Sequence, residues 1–262
     1  MHFAVRHLTL YRYSAPVRLG AHRLLLAPRP EAGRDCRFAL DVTPRPVALQ
    51  EQTDPWGNRV FALDFADETQ VFQIESRFTL QTGAPAAPPA PLPHPAYLDG
   101  PDPGAEVRGF AAALAQGTDG PLAFLDRLNA ALFTRTDRQI RAEGMARSPA
   151  ETLALRSGAC RDLTELFLAC ARVQGLPARF VSGYQAQSES PDGRRHLHAW
   201  PEVFLTGIGW RGYDPTHGLP VTDGHVALAV APGQGGTMTV EGGFWGPQVT
   251  TRLDYDIQID VT

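Results

Sequence analysis

A thiol, an imidazole and a carboxylate follow one another at Cys160, His198 and Asp214. These are the groups needed for a nucleophile, its proton acceptor and the residue that orients that acceptor. Cys160 stands in Ser157-Gly158-Ala159-Cys160-Arg161-Asp162, where Ser-Gly supplies a turn and a start signal; Leu163, Leu166, Phe167, Cys170 and Val173 then recur at helical spacing. The cysteine is therefore expected in the first turn of an otherwise buried helix, where unpaired backbone N–H groups favour a thiolate. His198-Ala199-Trp200 lies in the strand-like run from Leu197 to Leu205. Gly209 to Tyr213 reads as an aromatic strand that stops at the Asp214-Pro215 turn. Two neighbouring strands can hold the imidazole and the carboxylate side by side while the helix start points at them. The chemistry this allows is acyl transfer. The thiolate attacks a carboxamide or peptide carbonyl, the imidazole protonates the leaving amine, and water or an amine resolves the thioester. The backbone N–H of Cys160 is the expected oxyanion donor.

Each neighbouring side chain has a plain structural role to set against a chemical one. Cys170 falls on the apolar helix face and is expected in the core; Cys36 borders a strand and has no assigned role. His196 lies two residues before His198, so on a strand both imidazoles would share a face. With Asp214 or Cys160 they could ligate a metal, but the residues lack a recognised zinc spacing. No metal and no cofactor is expected, and His196 is placed at the rim. Asp162, in the first helical turn, is expected to support the site from behind. Trp200 either walls the site on the substrate side, excluding water, or packs in the core. Glu202 shares a strand face with Trp200 and His198, and His217 follows Asp214 by three residues; the roles of both stay open.

The elements that must position these groups are legible in the periodicity. Phe38, Leu40 and Val42 alternate with polar residues, as do Phe61, Leu63 and Phe65, and Phe72, Ile74, Phe78 and Leu80. Asp54-Pro55-Trp56-Gly57-Asn58 marks a turn between strands. Residues 1–82 are thus expected to form a small β-sandwich. Residues 83–104 carry eight prolines and read as a linker without regular structure. Residues 105–262 form the expected catalytic unit. Its helices are signalled by Val107, Phe110, Ala111 and Leu114, by Pro121 leading into Leu122, Leu125, Leu128 and Leu132, and by Ser148-Pro149. Strands are expected at 178–184, 197–205, 209–213, 225–231 and 237–241, with a final alternating strand through Leu253, Tyr255, Ile257, Ile259 and Val261.

With 262 residues, 43% of them hydrophobic, the chain can bury one large or two modest cores. A net charge of −4, evenly spread, argues against a nucleic-acid partner. No apolar run approaches a membrane span, and the segment beginning Met1-His2-Phe3 lacks the apolar stretch of a secretory signal. Three cysteines without a Cys-x-x-Cys pair suit a reducing compartment, so a cytoplasmic location is expected. All 24 basic residues are arginine. Schiff-base and P-loop chemistry are therefore excluded, and so is self-cross-linking through the protein's own lysines.

The motifs resemble those of the bacterial transglutaminase-like family, within the papain-like cysteine enzymes. The matching marks are Gly-x-Cys-x-Asp at Gly158 to Asp162, the run Gly175 to Tyr184, His198-Ala199-Trp200 and Tyr213-Asp214-Pro215-Thr216. Tyr13, Pro16, Val17, His22 and the turn at Asp54 to Asn58 resemble the β-rich domain that often precedes this core. The resemblance implies an α+β papain-like fold, with a helical part on an antiparallel sheet, and a Cys160–His198–Asp214 triad. Arg161 stands where Gln is common in the family, which bears on substrate preference and makes Arg161 a candidate substrate contact. The expected activity is that of a cysteine peptidase or amidase acting on a peptide or protein. A protein-glutamine transglutaminase with an amine acceptor and a non-catalytic peptide-binding module are the alternatives; the intact triad argues against the second.

Overall fold

Alternating side chains build the amino-terminal half as β1 (His2–Leu19), β2 (His22–Leu24), β3 (Arg34–Thr43), β4 (Ala48–Thr53), β5 (Arg59–Asp64) and β6 (Glu68–Gln81). This computed structural model describes residues 1–83, 93–141, 144–187 and 195–262. In β6 the alternation works as expected, with Phe72, Ile74, Phe78 and Leu80 all buried. Tyr13, Val17, Leu24, Phe61, Leu63, Phe72 and Ile74 form a core shared by two sheets, making the expected sandwich.

Four helices and the remaining strands follow. They are α1 (Ala105–Ala115), α2 (Pro121–Arg135), β7 (Asp137–Arg138), α3 (Pro149–Leu155), β8 (Ser157–Gly158), α4 (Cys160–Val173), β9 (Ala178–Gln185), β10 (His198–Leu205), β11 (Gly209–Asp214), β12 (Leu219–Pro220), β13 (His225–Ala231), β14 (Val240–Glu241), β15 (Phe244–Trp245) and β16 (Thr251–Val261). Pro121 takes the first turn of α2, where its missing N–H costs nothing. Ser148 and Glu151 close a reciprocal capping box on α3. A separate sheet runs β12-β11-β10-β9-β13, antiparallel throughout. Ala178, Phe180, Ala199, Val203, Leu205 and Tyr213 turn one of its faces toward the helices. Tyr184, Val226 and Leu228 pack with Phe3, Val5, Phe78 and Leu80 of the sandwich. This sheet therefore shares apolar contacts with both the helices and the sandwich.

Three sequence expectations change. The final strand does not stay with the 105–262 unit: β16 pairs with β1 from Phe3↔Val261 to Tyr13↔Thr251, and β14 and β15 pair with β2 and β1. Ile257 and Ile259 find their apolar cover there. The strand expected at 237–241 is a 3-10 turn at Gln234–Thr237 followed by the two-residue β14. The linker is partly built as well. His94 to Tyr97 form a single 3-10 turn, and buried Tyr97 packs on Trp56 and Trp210 at 5.3 and 5.1 Å. Prolines 85, 88, 89 and 91 of the linker lie outside the described residues.

Candidate active site

Cys160 is the first residue of α4, as the apolar spacing requires, and is partly exposed. Asp162 fixes the turn that presents it. This carboxylate is 0% exposed and accepts from Ala159 N–H at 2.8 Å on one oxygen, and from Arg147 N–H and the Arg141 guanidinium at 2.8 Å on the other. Asp162 thus does the capping that Ala159, having no polar side chain, cannot. Gly158 must be glycine here, because a Cβ would lie 2.9 Å from Asp162 Cβ. Burial, then the neighbouring charge of Arg141, pulls the Arg161 guanidinium below its ordinary value. Arg161 lies beside Cys160 as the sequence order demands, among Arg141, Arg147 and Asp162.

His198 opens β10, and Asp214 closes β11 on the neighbouring strand. Their side chains meet at 2.9 Å, His198 Nε2 to Asp214 Oδ2, both buried. The strand begins at His198 rather than Leu197, which separates the two histidines expected to share a face. His196 lies outside it and bonds Tyr255 Oη of β16 at 3.2 Å, an exposed contact. Trp200 is 1% exposed. It stacks near His198 with centroids 6.0 Å apart and packs on Val181 and Val230, so it is a wall rather than a substrate-facing surface. Glu202 receives two nitrogens of Arg179, its cross-strand neighbour, at 2.6 and 2.7 Å, and Arg179 in turn lies 4.0 Å over the Trp210 ring. Its role is cross-strand pairing.

The structure joins His198 and Asp214 directly, and it ties Cys160 to them through packing. Cys160 packs against the helical core, which reaches Ala199 and Tyr213, the chain neighbours of His198 and Asp214. Gly158 on β8 pairs with Arg138 on β7, whose guanidinium donates to the Thr216 carbonyl at 2.8 Å. The helix start and the end of β11 are thereby clamped to one another.

Sequence reasoning missed the crowd around Asp214. His217 Nδ1 and His225 Nε2 reach the same Oδ2 at 2.9 and 3.0 Å, while Oδ1 accepts Thr216 N–H at 3.0 Å and His217 N–H at 3.3 Å. Burial pushes the Asp214 carboxyl up, but the imidazoles of His198, His217 and His225 outweigh it and hold the group far below the usual carboxylate range. His225 had one weak signal, its place at the start of an apolar strand run, and His217 one, its closeness to Asp214. The ligand atoms of His198, Asp214 and His217 also lie within 4.8 Å of one another, close enough to hold a metal ion. An ionised carboxylate only accepts, so each ring nitrogen facing it carries a proton, whereas a metal ligand must offer a lone pair. The donor set therefore suits a carboxylate hub better than a metal.

Comparisons with known proteins agree with this architecture. Residues 3–81 match the bacterial transglutaminase-like N-terminal region and residues 108–215 the transglutaminase-like superfamily. An uncharacterised Mycobacterium tuberculosis protein is 26% identical over 257 residues, covering 86% of this chain and 82% of its own. A Pseudomonas aeruginosa protein-glutamine gamma-glutamyltransferase is 37% identical over 68 residues, 24% of this chain and 10% of that protein. The solved structure of a candidate cysteine protease from Cytophaga hutchinsonii superposes with a TM-score of 0.74 at 17% identity, covering 100% of this chain and 91% of its own, a likeness of fold. With a sandwich that matches over residues 3–81 and a helix-on-sheet core that matches over residues 108–215, the chain joins a bacterial transglutaminase-like N-terminal region to a transglutaminase-like core.

Proposed function

We propose that this protein is a thiol-dependent acyl-transfer enzyme that hydrolyses a peptide or carboxamide bond, with Cys160, His198 and Asp214 as its triad. The observation that carries the proposal is the buried 2.9 Å contact between His198 Nε2 and Asp214 Oδ2. It commits the Nε2 proton to the carboxylate and makes Nδ1 the basic nitrogen, the one that takes the thiol proton. The Cys160 sulfur then attacks the substrate carbonyl carbon, and the helix start supplies backbone N–H for the developing oxyanion. The imidazolium returns its proton to the leaving amine, which departs and leaves a thioester. Water attacks the thioester carbon, loses a proton to His198, and releases the acid and the thiol.

Selective alkylation tests the nucleophile. Cys170 is fully buried, which pushes its thiol up to about 12, and desolvation by its neighbours pushes the thiol of exposed Cys36 up as well. Iodoacetamide at near-neutral pH is expected to modify Cys160 well ahead of both, read by peptide mass spectrometry. Labelling of Cys160 no faster than Cys36 would remove it from the role.

The second reading keeps the thioester and changes the acceptor to an amine; the 68-residue likeness to a protein-glutamine gamma-glutamyltransferase favours it. A glutamine-bearing peptide incubated with a labelled primary amine separates the two. Hydrolysis gives the free carboxylate only, and incorporated amine in excess of it would reverse the preference.

A further inference from the structure

Asp214 is a hub, and a triad needs just one of its three imidazoles. His198 arrives from β10, His217 from the turn after β11 and His225 from the first position of β13, and all three bond Oδ2. Three elements have thus each aimed a ring nitrogen at one buried oxygen. The β13–β9 pairing also shifts register between Ala227 and Ala229, just beyond His225. Such a shift re-aims the side chains of one strand relative to its neighbour.

We propose that His225 and His217 are positioning residues of the catalytic machinery, each donating a ring N–H to the oxygen that His198 uses and so fixing the carboxylate as acceptor for His198. The inference rests on the triad proposed above. Its physical basis is the setting of Asp214, which is 0% exposed. Removed from water, a carboxylate with a single neutral donor tends to take up a proton, and a protonated acid no longer holds its partner imidazole in one tautomer. Two further ring donors and two backbone N–H groups replace the lost hydration. The carboxylate stays ionised, and its oxygen stays where His198 needs it.

The contacts fix the tautomers. Because Oδ2 only accepts, His198 and His225 carry their proton on Nε2 and His217 carries its own on Nδ1. Gln185 Nε2 lies 3.4 Å from His217 Nε2, the side on which that tautomer offers a lone pair. His225 Nδ1 is buried and meets no partner among the described residues, which suits a lone pair better than a proton. The His225 ring is steadied by an edge-to-face contact with Trp200 at 5.1 Å. Trp200 therefore braces both rings, His198 by stacking and His225 by its edge.

Two measurements on the 262-residue protein test this. Long-range proton–nitrogen NMR correlations at neutral pH read the tautomers without substrate. Nε2–H at His225 and Nδ1–H at His217 are expected, and the opposite tautomer at either would overturn the proposal for that residue. The second is a double-mutant cycle on Cys160 alkylation by chloroacetamide. His225→Leu is expected to slow alkylation about tenfold, and His225→Gln, which keeps an N–H donor, to recover most of the rate. In the Asp214→Asn background the same His225→Leu change should alter the rate less than about twofold, since the hub it serves is gone. An unchanged rate in His225→Leu, or an equal loss in both backgrounds, overturns the proposal. Should His225→Leu fail to fold, His225→Met and His217→Leu carry the same comparison and the tautomer readout still decides. If wild-type Cys160 is unreactive, the triad reading has failed; if it reacts and the cycle is additive, the failure is in the hub alone.

Discussion

At the scale of the residue, Asp214 decides the most with the fewest atoms. Asp214→Asn replaces one acceptor oxygen with an N–H₂ group that must face N–H donors, the rings at Oδ2 or the Thr216 and His217 backbone at Oδ1. Either way the side chain or its donors must rearrange. In the serine-protease template a comparable change costs about four orders of magnitude in turnover. A thiol that ionises more readily depends less on its base, so the expected loss here is roughly one to three orders. If Asp214 were only a turn residue, accepting Thr216 and His217 N–H, the variant would lose melting temperature and keep its turnover per folded molecule. Melting temperature and active-site-titrated turnover on one sample distinguish the two. Asp214 was readable in the sequence because Asp-Pro ends an aromatic strand. The histidines that crowd it were not, since His225 lies 11 residues away and reaches it from a strand three positions across the sheet.

Among the elements, β9 carries the strictest requirement. His198 pairs with Gly183 across the β10–β9 ladder. A Cβ at Gly183 would lie 2.1 Å from the Val226 carbonyl oxygen and 2.8 Å from the Trp200 ring. Neither can yield cheaply, because one is backbone of β13 and the other the packed wall of the site. Gly183→Ala is expected to cost about 3 kcal/mol or more of stability, as overpacked cores do, and to displace His198. Gly109 in α1 meets nothing within 4 Å of a built Cβ, so Gly109→Ala should instead stabilise by about 0.5–1 kcal/mol. Urea midpoints of the two variants check the contrast, and similar shifts in the same direction would contradict the packing argument. Helix α4 was legible because its spacing and start signal are local. The need for glycine at 183 was not, because the atoms that exclude a side chain come from β10 and β13.

For the whole molecule, the sandwich is part of what holds the sheet that carries His198 and Asp214. Asn58, 0% exposed, pairs with both the N–H and the carbonyl of Val230 at 2.8 and 2.7 Å. It covers the free edge of β13 as another strand would. His7 of β1 contacts the Tyr184 hydroxyl of β9 at 2.7 Å. Burial pushes this imidazole down from 6.5 to about 4, with Asp256 opposing the shift weakly. Between those values the unfolded chain binds the proton that the folded one refuses. The stability His7 contributes is therefore full above its unfolded value and is lost as pH falls from there toward 4. The whole effect is on the order of 3 kcal/mol. Denaturant midpoints at about pH 7.5 and about pH 4.5 should drop steeply in the wild type, and His7→Gln should flatten the drop. An unaltered slope in that variant would assign the acid sensitivity to other groups.

The chain's own order determined the helix that starts at Cys160, the alternation that buries Phe72 to Leu80, the capped start at Ser148 and the adjacency of His198 and Asp214. Each follows from relations between residues two to four positions apart, or from two strands joined by a short turn, where backbone geometry leaves few choices. The return of β16 to β1, the latch of Asn58 on Val230 and the gathering of three imidazoles on one oxygen were decided by packing between distant segments. An edge strand accepts any partner of fitting register, and a buried carboxylate accepts any donor the fold brings near. Which partner and which donors come is settled only when the distant segments pack together, because burial then leaves every unpaired polar group costly.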